Sequence, residues 1–255
     1  KINEVRKRLI YRQIAWLYRL KRQLRVLKPW EHNANVNQHY RALIAKQFPV
    51  DEPDVELQNF LEDKEVQKIL NAANGCTHLL HLQTEDLREL KKQGLVDDFR
   101  HMEMTNMLVE FYTLQGKSER IKNFPYPRQF ATLNYLFVWI FIILLPFGIM
   151  EGFESIGDHI LEDLAQHESR TSLGHLVQEF IAKHFVWFSI PFSALISWVF
   201  HTMEAIGENT ENPFEGGPND IPITDMSRGI EIDIRQLIDD TDIPEPYKWT
   251  NDIVM

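Results

Sequence analysis

The side chains best suited to chemistry are ten histidines and a single cysteine. His78 and His81 stand one helical turn apart, a spacing that puts two imidazoles on one face and would suit a divalent metal. Neither Glu-x-x-His nor His-Glu-x-x-His occurs, so the pair lacks further ligands at a metal-site spacing, and solvated or packed histidines are the plainer reading. His159, His167 and His175 recur every eight residues, which does not stack on a helix, and they read as surface residues. Cys76 has no base beside it, and no Gly-x-Ser-x-Gly, P-loop or dinucleotide-binding glycine pattern is present. The sequence therefore predicts no enzyme and assigns no catalytic, cofactor-binding or metal residue. His201 and Glu204 are one turn apart at the end of an apolar run. Ionisable groups at membrane depth face protein or a water-filled cavity, so the pair reads as the wall of an ion path or as an interfacial pair in headgroup water.

The elements that position these residues come from hydropathy. Residues 129–150 form a 22-residue run without a charged side chain, and residues 185–203 form another of 19 in which His201 alone titrates. Each reaches the roughly 20 apolar residues that a helix needs to cross a bilayer core. The competing reading is a pair of buried helices in a large soluble core. Pro146 and Pro191 interrupt the two runs, and broken helices often mark ion or substrate sites, although kinks also occur without such a role.

The first 28 residues predict one helix, with Ile10, Ile14, Leu17, Leu20, Leu24 and Leu27 on one face and ten basic residues against the single acid Glu4. That charge suits a membrane-surface or nucleic-acid helix, and equally a helix packed in a larger bundle. The chain as a whole has 37 acidic and 27 basic residues, which argues against a nucleic-acid partner. Further helices are expected over 36–48, 54–71, 77–93 and 95–114, the last two closed by Gly94 and Gly116. No alternating strand pattern, repeat or flexible linker is evident, so the fold class is all-α.

Charge orients the hairpin. Lys117, Arg120, Lys122 and Arg128 precede the first span, whereas the connection 151–184 holds seven acids against Arg170 and Lys183. The positive-inside rule then places 1–128 as a cytosolic helical domain and 129–206 as a transmembrane hairpin with the connection 151–184 outside. Residues 207–255 follow as a cytosolic acidic segment. The expected location is the cell membrane, as a multi-pass protein.

Two stretches, read together, resemble the bestrophin family of ion channels, in its bacterial branch. One is Gly116-Lys117-Ser118-Glu119-Arg120-Ile121-Lys122-Asn123-Phe124-Pro125-Tyr126-Pro127-Arg128, leading into the first span. The other runs from Glu204-Ala205-Ile206-Gly207-Glu208 through Asn212-Pro213-Phe214 and Asn219-Asp220 to Ile230-Glu231-Ile232-Asp233-Ile234. Glu119, Arg120, Pro127, Asn212, Pro213, Phe214, Asn219 and Asp220 are the motif positions. The resemblance implies a homopentamer around one central pore, passing chloride or other small anions, with cation preference in some bacterial members. The bilayer and inorganic ions are the implied partners. It also implies an inner constriction on the helix before the Glu-Arg-Ile motif, with Leu95, Phe99 and Met102 as candidates. Family members carry two more membrane helices before the region matched by Lys1, one of them lining the pore neck, so this chain is expected to represent part of such a protein. The connection 151–184 is long for the family. Eukaryotic bestrophins have a dense acidic run after Asn-Pro-Phe that clasps calcium. Here Glu215-Gly-Gly-Pro-Asn-Asp220 keeps two carboxylates, so conduction without calcium is expected. The acidic tail is expected to lie against neighbouring subunits or the basic N-terminal helix. A membrane-anchored scaffold and a proton-coupled transporter using His201 and Glu204 are the alternatives.

Overall fold

The structure is a computed structural model that describes residues 2–26, 28, 55–124, 128–166, 173–209, 212–216 and 220–247. All the regular elements described are helical, which agrees with the all-α expectation. The chain divides into two units, one of Lys1–Pro125 with Asn209–Met255 and one of Tyr126–Glu208. The helix expected over 36–48 lies outside the described residues.

In the first unit, α1 (Ile2–Arg25) is the central element. It packs against α2 (Val55–Gln58), α4 (Gly75–Lys92), α5 (Asp98–Asn123) and α9 (Ile223–Leu237). Ala15 and Trp16 enter a core with Leu57, Val66, Ile69, Leu79, Leu80, Leu87 and Leu108. Its basic side chains are met by carboxylates of other helices. Arg12 is buried and binds Glu65 at 2.7 Å and Asp86 at 2.6 Å, and Lys21 binds Glu56 at 3.0 Å. The membrane-surface and nucleic-acid readings of this helix are thus corrected: its charge is spent inside the bundle, because an unpaired buried cation is costly.

The acidic tail also docks on α1 within the same chain, through two tyrosine hydroxyls and one ion pair. Glu231 of α9 is almost fully buried; it accepts from the Tyr18 hydroxyl and pairs with Arg228 and Arg235, each at 3.0 Å. Burial, reinforced by the Glu231 carboxylate, pushes the Tyr18 hydroxyl well above its ordinary range and keeps it a donor. Asp240 accepts from Tyr11 and Lys7, and the Tyr11 hydroxyl holds its carboxyl below the usual range.

Helix boundaries differ from expectation in two places besides the start of α5, which is Asp98 and not 95. Residues 54–71 form not one helix but α2 and α3 (Asp63–Leu70). Leu57 and Leu61 both enter the core, Phe60 stacks on Tyr18, and Glu62 is extended, so packing divides the run. Gly94 ends α4 with φ +70, as expected. Gly116 does not end α5, which runs on to Asn123. A glycine inside a helix costs about 1 kcal/mol, and the buried contacts of Gln115 and Lys122 on either side outweigh it.

The second unit is a hairpin. α6 (Arg128–Gln166) spans 39 residues and continues past the apolar run, so the connection begins as helix. α7 (Leu173–Lys183) returns along it, and a 3-10 turn, Phe185–Phe188, leads into α8 (Ser189–Asn209). Gly157 permits the close approach: a Cβ there would lie 2.7 Å from the Ala182 carbonyl oxygen. Pro191 falls in the first turn of α8, where its missing N–H breaks no helical bond, so the second span is not broken in its interior. α6 and α8 are both long and apolar enough to cross a membrane, and the most apolar window of α6 is 0% buried within the chain. That exposure contradicts a pair of helices buried in a soluble core.

Candidate functional site

The residues with reactive chemistry are not gathered. Among the described residues no group of three or more His, Cys, Asp or Glu could hold a metal. His78 is exposed, and His81 pairs with Glu85 at 3.5 Å. His159 is exposed beside Glu162, and His167 lies outside the described residues. His175, expected at the surface, is instead half-buried, its Nε2 3.2 Å from the Leu164 carbonyl oxygen. The paired reading of His201 and Glu204 divides. Glu204 accepts from Asn134 Nδ2 at 2.7 Å, while the His201 ring lies against Trp139. Both residues hold α8 to α6.

The constriction candidates lie on or just before α5. Asp97 caps its N-terminus, accepting from the Arg100 amide at 2.9 Å, so Leu95 sits in the connection before the helix. The bundle buries one narrow row of α5: Leu108, Gln115 and Lys122, spaced by seven. Nine residues are about two and a half turns, so positions nine away from this row point to the opposite side. Phe99 and Lys117 stand so to Leu108, and Asn106 stands so to Gln115. Phe99 is 81% exposed, and Leu95 and Met102 are also exposed, so none of the three constriction candidates belongs to the bundle core. Met107 and Leu114 are exposed on one flank of this face, with Met102 and Val109 on the other. Glu103, Asn106, Glu110 and Lys117 form a polar stripe between these apolar flanks. Sequence reasoning missed that stripe, although the seven-residue repeat Glu103, Glu110, Lys117 was its signal.

The other half of α5 is fixed by a polar hub. Glu119 Oε1 accepts from Gln115 at 2.8 Å and from Asn74 and Gln23, each at 2.9 Å. Gln115 in turn accepts from the Trp16 indole at 3.0 Å and donates to Thr77. Three helices are thereby registered at one carboxylate, a fully connected network of the kind that specifies a single arrangement. Gln115, Asn74 and Gln23 were not foreseen, since amides leave no periodic signature. Arg120 is exposed, and Pro127 and Asn219 lie outside the described residues.

Lys122, buried, ties the end of α5 to the second motif by donating to the Pro213 carbonyl at 3.3 Å. Asn212 and Phe214 are buried, and Phe214 has φ +63, a strained value for an aromatic residue. Asp220 holds the turn: its Oδ1 accepts from the amides of Phe214 and Ile221, and its Oδ2 from Gly216. Both oxygens of this carboxylate are thus engaged by backbone N–H groups.

The profile described as Bacterial/Fungal Bestrophin protein matches residues 1–157 and 179–236. The chain belongs to this bestrophin family. Among its relatives, the voltage-dependent anion channel-forming protein YneE of Salmonella typhimurium is 28% identical over 188 residues, 74% of this chain and 51% of that protein. YneE of Escherichia coli strain K12 is 25% identical over 194 residues, 76% and 53% of the two chains. The chain spans about half the length of these curated relatives, which are named for channel formation and not for an enzymatic activity. Among solved structures, a bacterial bestrophin homologue from Klebsiella pneumoniae matches with a TM-score of 0.65 at 20% identity, covering 94% of this chain and 68% of that one. A related structure is described as a membrane protein. The bestrophin profile skips 158–178, a stretch that takes in the end of α6 and the start of α7.

Proposed function

We propose that this chain is a subunit of an ion channel of the cell membrane, a homopentamer that passes chloride or other small anions. The observation that carries the reading is the outer face of α5. A polar stripe with a bulky apolar residue at one end, bounded on both sides by exposed methionine and aliphatic residues, suits a helix packed between copies of itself around water. In this reading Phe99 narrows the path, with Leu95 and Met102 beside it. The anion preference follows the names of the relatives, and the five-fold stoichiometry follows the resemblance.

The direct test is ion flux from liposomes holding the full-length protein. Flux of chloride is expected, equal in chelator and in micromolar calcium. Calcium takes roughly six to eight oxygen ligands, and Asp220 already spends both oxygens on backbone amides. Flux that appears only with calcium would overturn the calcium-free reading. No flux under either condition would overturn the channel reading.

The orientation has its own test. In this reading residues 1–128 and 207–255 face the cytoplasm and the connection 151–184 lies outside, which the basic flank before the first span and the acids of the connection support. Cysteine at His159, exposed on α6, is expected to react with an impermeant thiol reagent added to intact cells. Reaction only after lysis would invert the topology.

A further inference from the structure

We propose that Glu103 and Glu110 oppose anion passage along the α5 stripe and that Lys117 favours it, the three together setting the charge preference of the ion path. This rests on the reading of α5 as the lining of that path. The three residues repeat at intervals of seven, so they form one row along the helix, about 10 Å apart. The row lies on the side away from the buried Leu108, Gln115 and Lys122, and all three side chains are exposed.

Their electrostatic situation differs from that of the acids within the bundle. Glu56, Glu65, Asp86 and Asp240 each meet a cation of α1, and Glu231 meets Arg228 and Arg235 of its own helix. Among the described residues, neither Glu103 nor Glu110 nor Lys117 has an ion-pair or hydrogen-bond partner. The row therefore presents uncompensated charge, two acids toward the Phe99 end and one base toward the end that leads in sequence to α6. A ring of copies repeats each charge around the axis. The rings stand about one Debye length apart at physiological salt, so each acts on ions locally, and the field is strengthened by low-dielectric walls. Anions meet two repulsive rings beside the Phe99 constriction and an attractive ring beyond them.

The test is the reversal potential of the full-length protein in a planar bilayer under a potassium chloride gradient. The double variant E103Q/E110Q is expected to raise chloride-over-potassium permeability about threefold or more, and K117Q to lower it. Unchanged permeability ratios in both variants would overturn the proposal. Glu110→Cys separates this failure from failure of the lining itself. A positively charged thiosulfonate should raise the chloride current and a negatively charged one should lower it. Equal loss of current with both reagents would leave α5 as the lining but remove the charge role. Complete labelling with no change in current from either would overturn the placement of α5 along the path.

Discussion

Replacing Glu231 by alanine is expected to destabilise the α1–α9 unit by about 3–5 kcal/mol, the range for removing one partner of a buried ion pair. Glu231 is 1% exposed and sits between Tyr18, Arg228 and Arg235. Without it, the two guanidinium groups lose their shared counter-charge, and the Tyr18 hydroxyl loses its acceptor. In a unit of this size the loss corresponds to a fall in melting temperature of about 6–20 °C. Thermal unfolding of the full-length protein in detergent, followed by tryptophan fluorescence, checks it. A fall of less than about 2 °C would mean that α9 does not hold α1 in this way.

Truncating Phe99 is the second large effect. If its ring narrows the ion path, F99A widens that point by most of a phenyl group in every copy. The permeability of a large anion such as gluconate, relative to chloride, is expected to rise about fivefold or more. The same substitution should leave the melting temperature nearly unchanged, because Phe99 is not part of the bundle core and is 81% exposed. An unchanged gluconate ratio in a folded, conducting F99A protein would move the constriction elsewhere, with Leu95 and Met102 as the next positions to test.

The amino-acid sequence made the hairpin plain, because two long uncharged runs are the strongest pattern a chain can carry. It also showed α1 as a helix with one apolar face and much basic charge. It did not show where that charge goes, since Arg12 meets Glu65 and Asp86 more than fifty residues away and Tyr18 meets Glu231 across most of the chain. Both stops and starts by local rule failed where packing overrode them, at Gly116 and between Phe60 and Glu62. The outer face of α5 stayed hidden for a different reason. Its exposed apolar residues lie on two flanks while the buried row holds Gln115 and Lys122 beside Leu108, so no single helical period stands out and the polar stripe between the flanks is masked. The Glu119 hub was signalled by its motif position, but its amide partners were not.

The account stands or falls on whether the outer face of α5 borders the ions. The most direct measurement is the current carried by the full-length Phe99→Cys protein before and after a bulky thiol reagent on the side expected to be cytosolic. Cys76 is fully buried, so the parent protein should not respond. A cysteine at the exposed Glu89 of α4, on another helix, serves as a labelled control. The account predicts that modification at Phe99→Cys abolishes nearly all of the current while the Glu89→Cys control keeps its own. A fully labelled Phe99→Cys protein that conducts as before would contradict it.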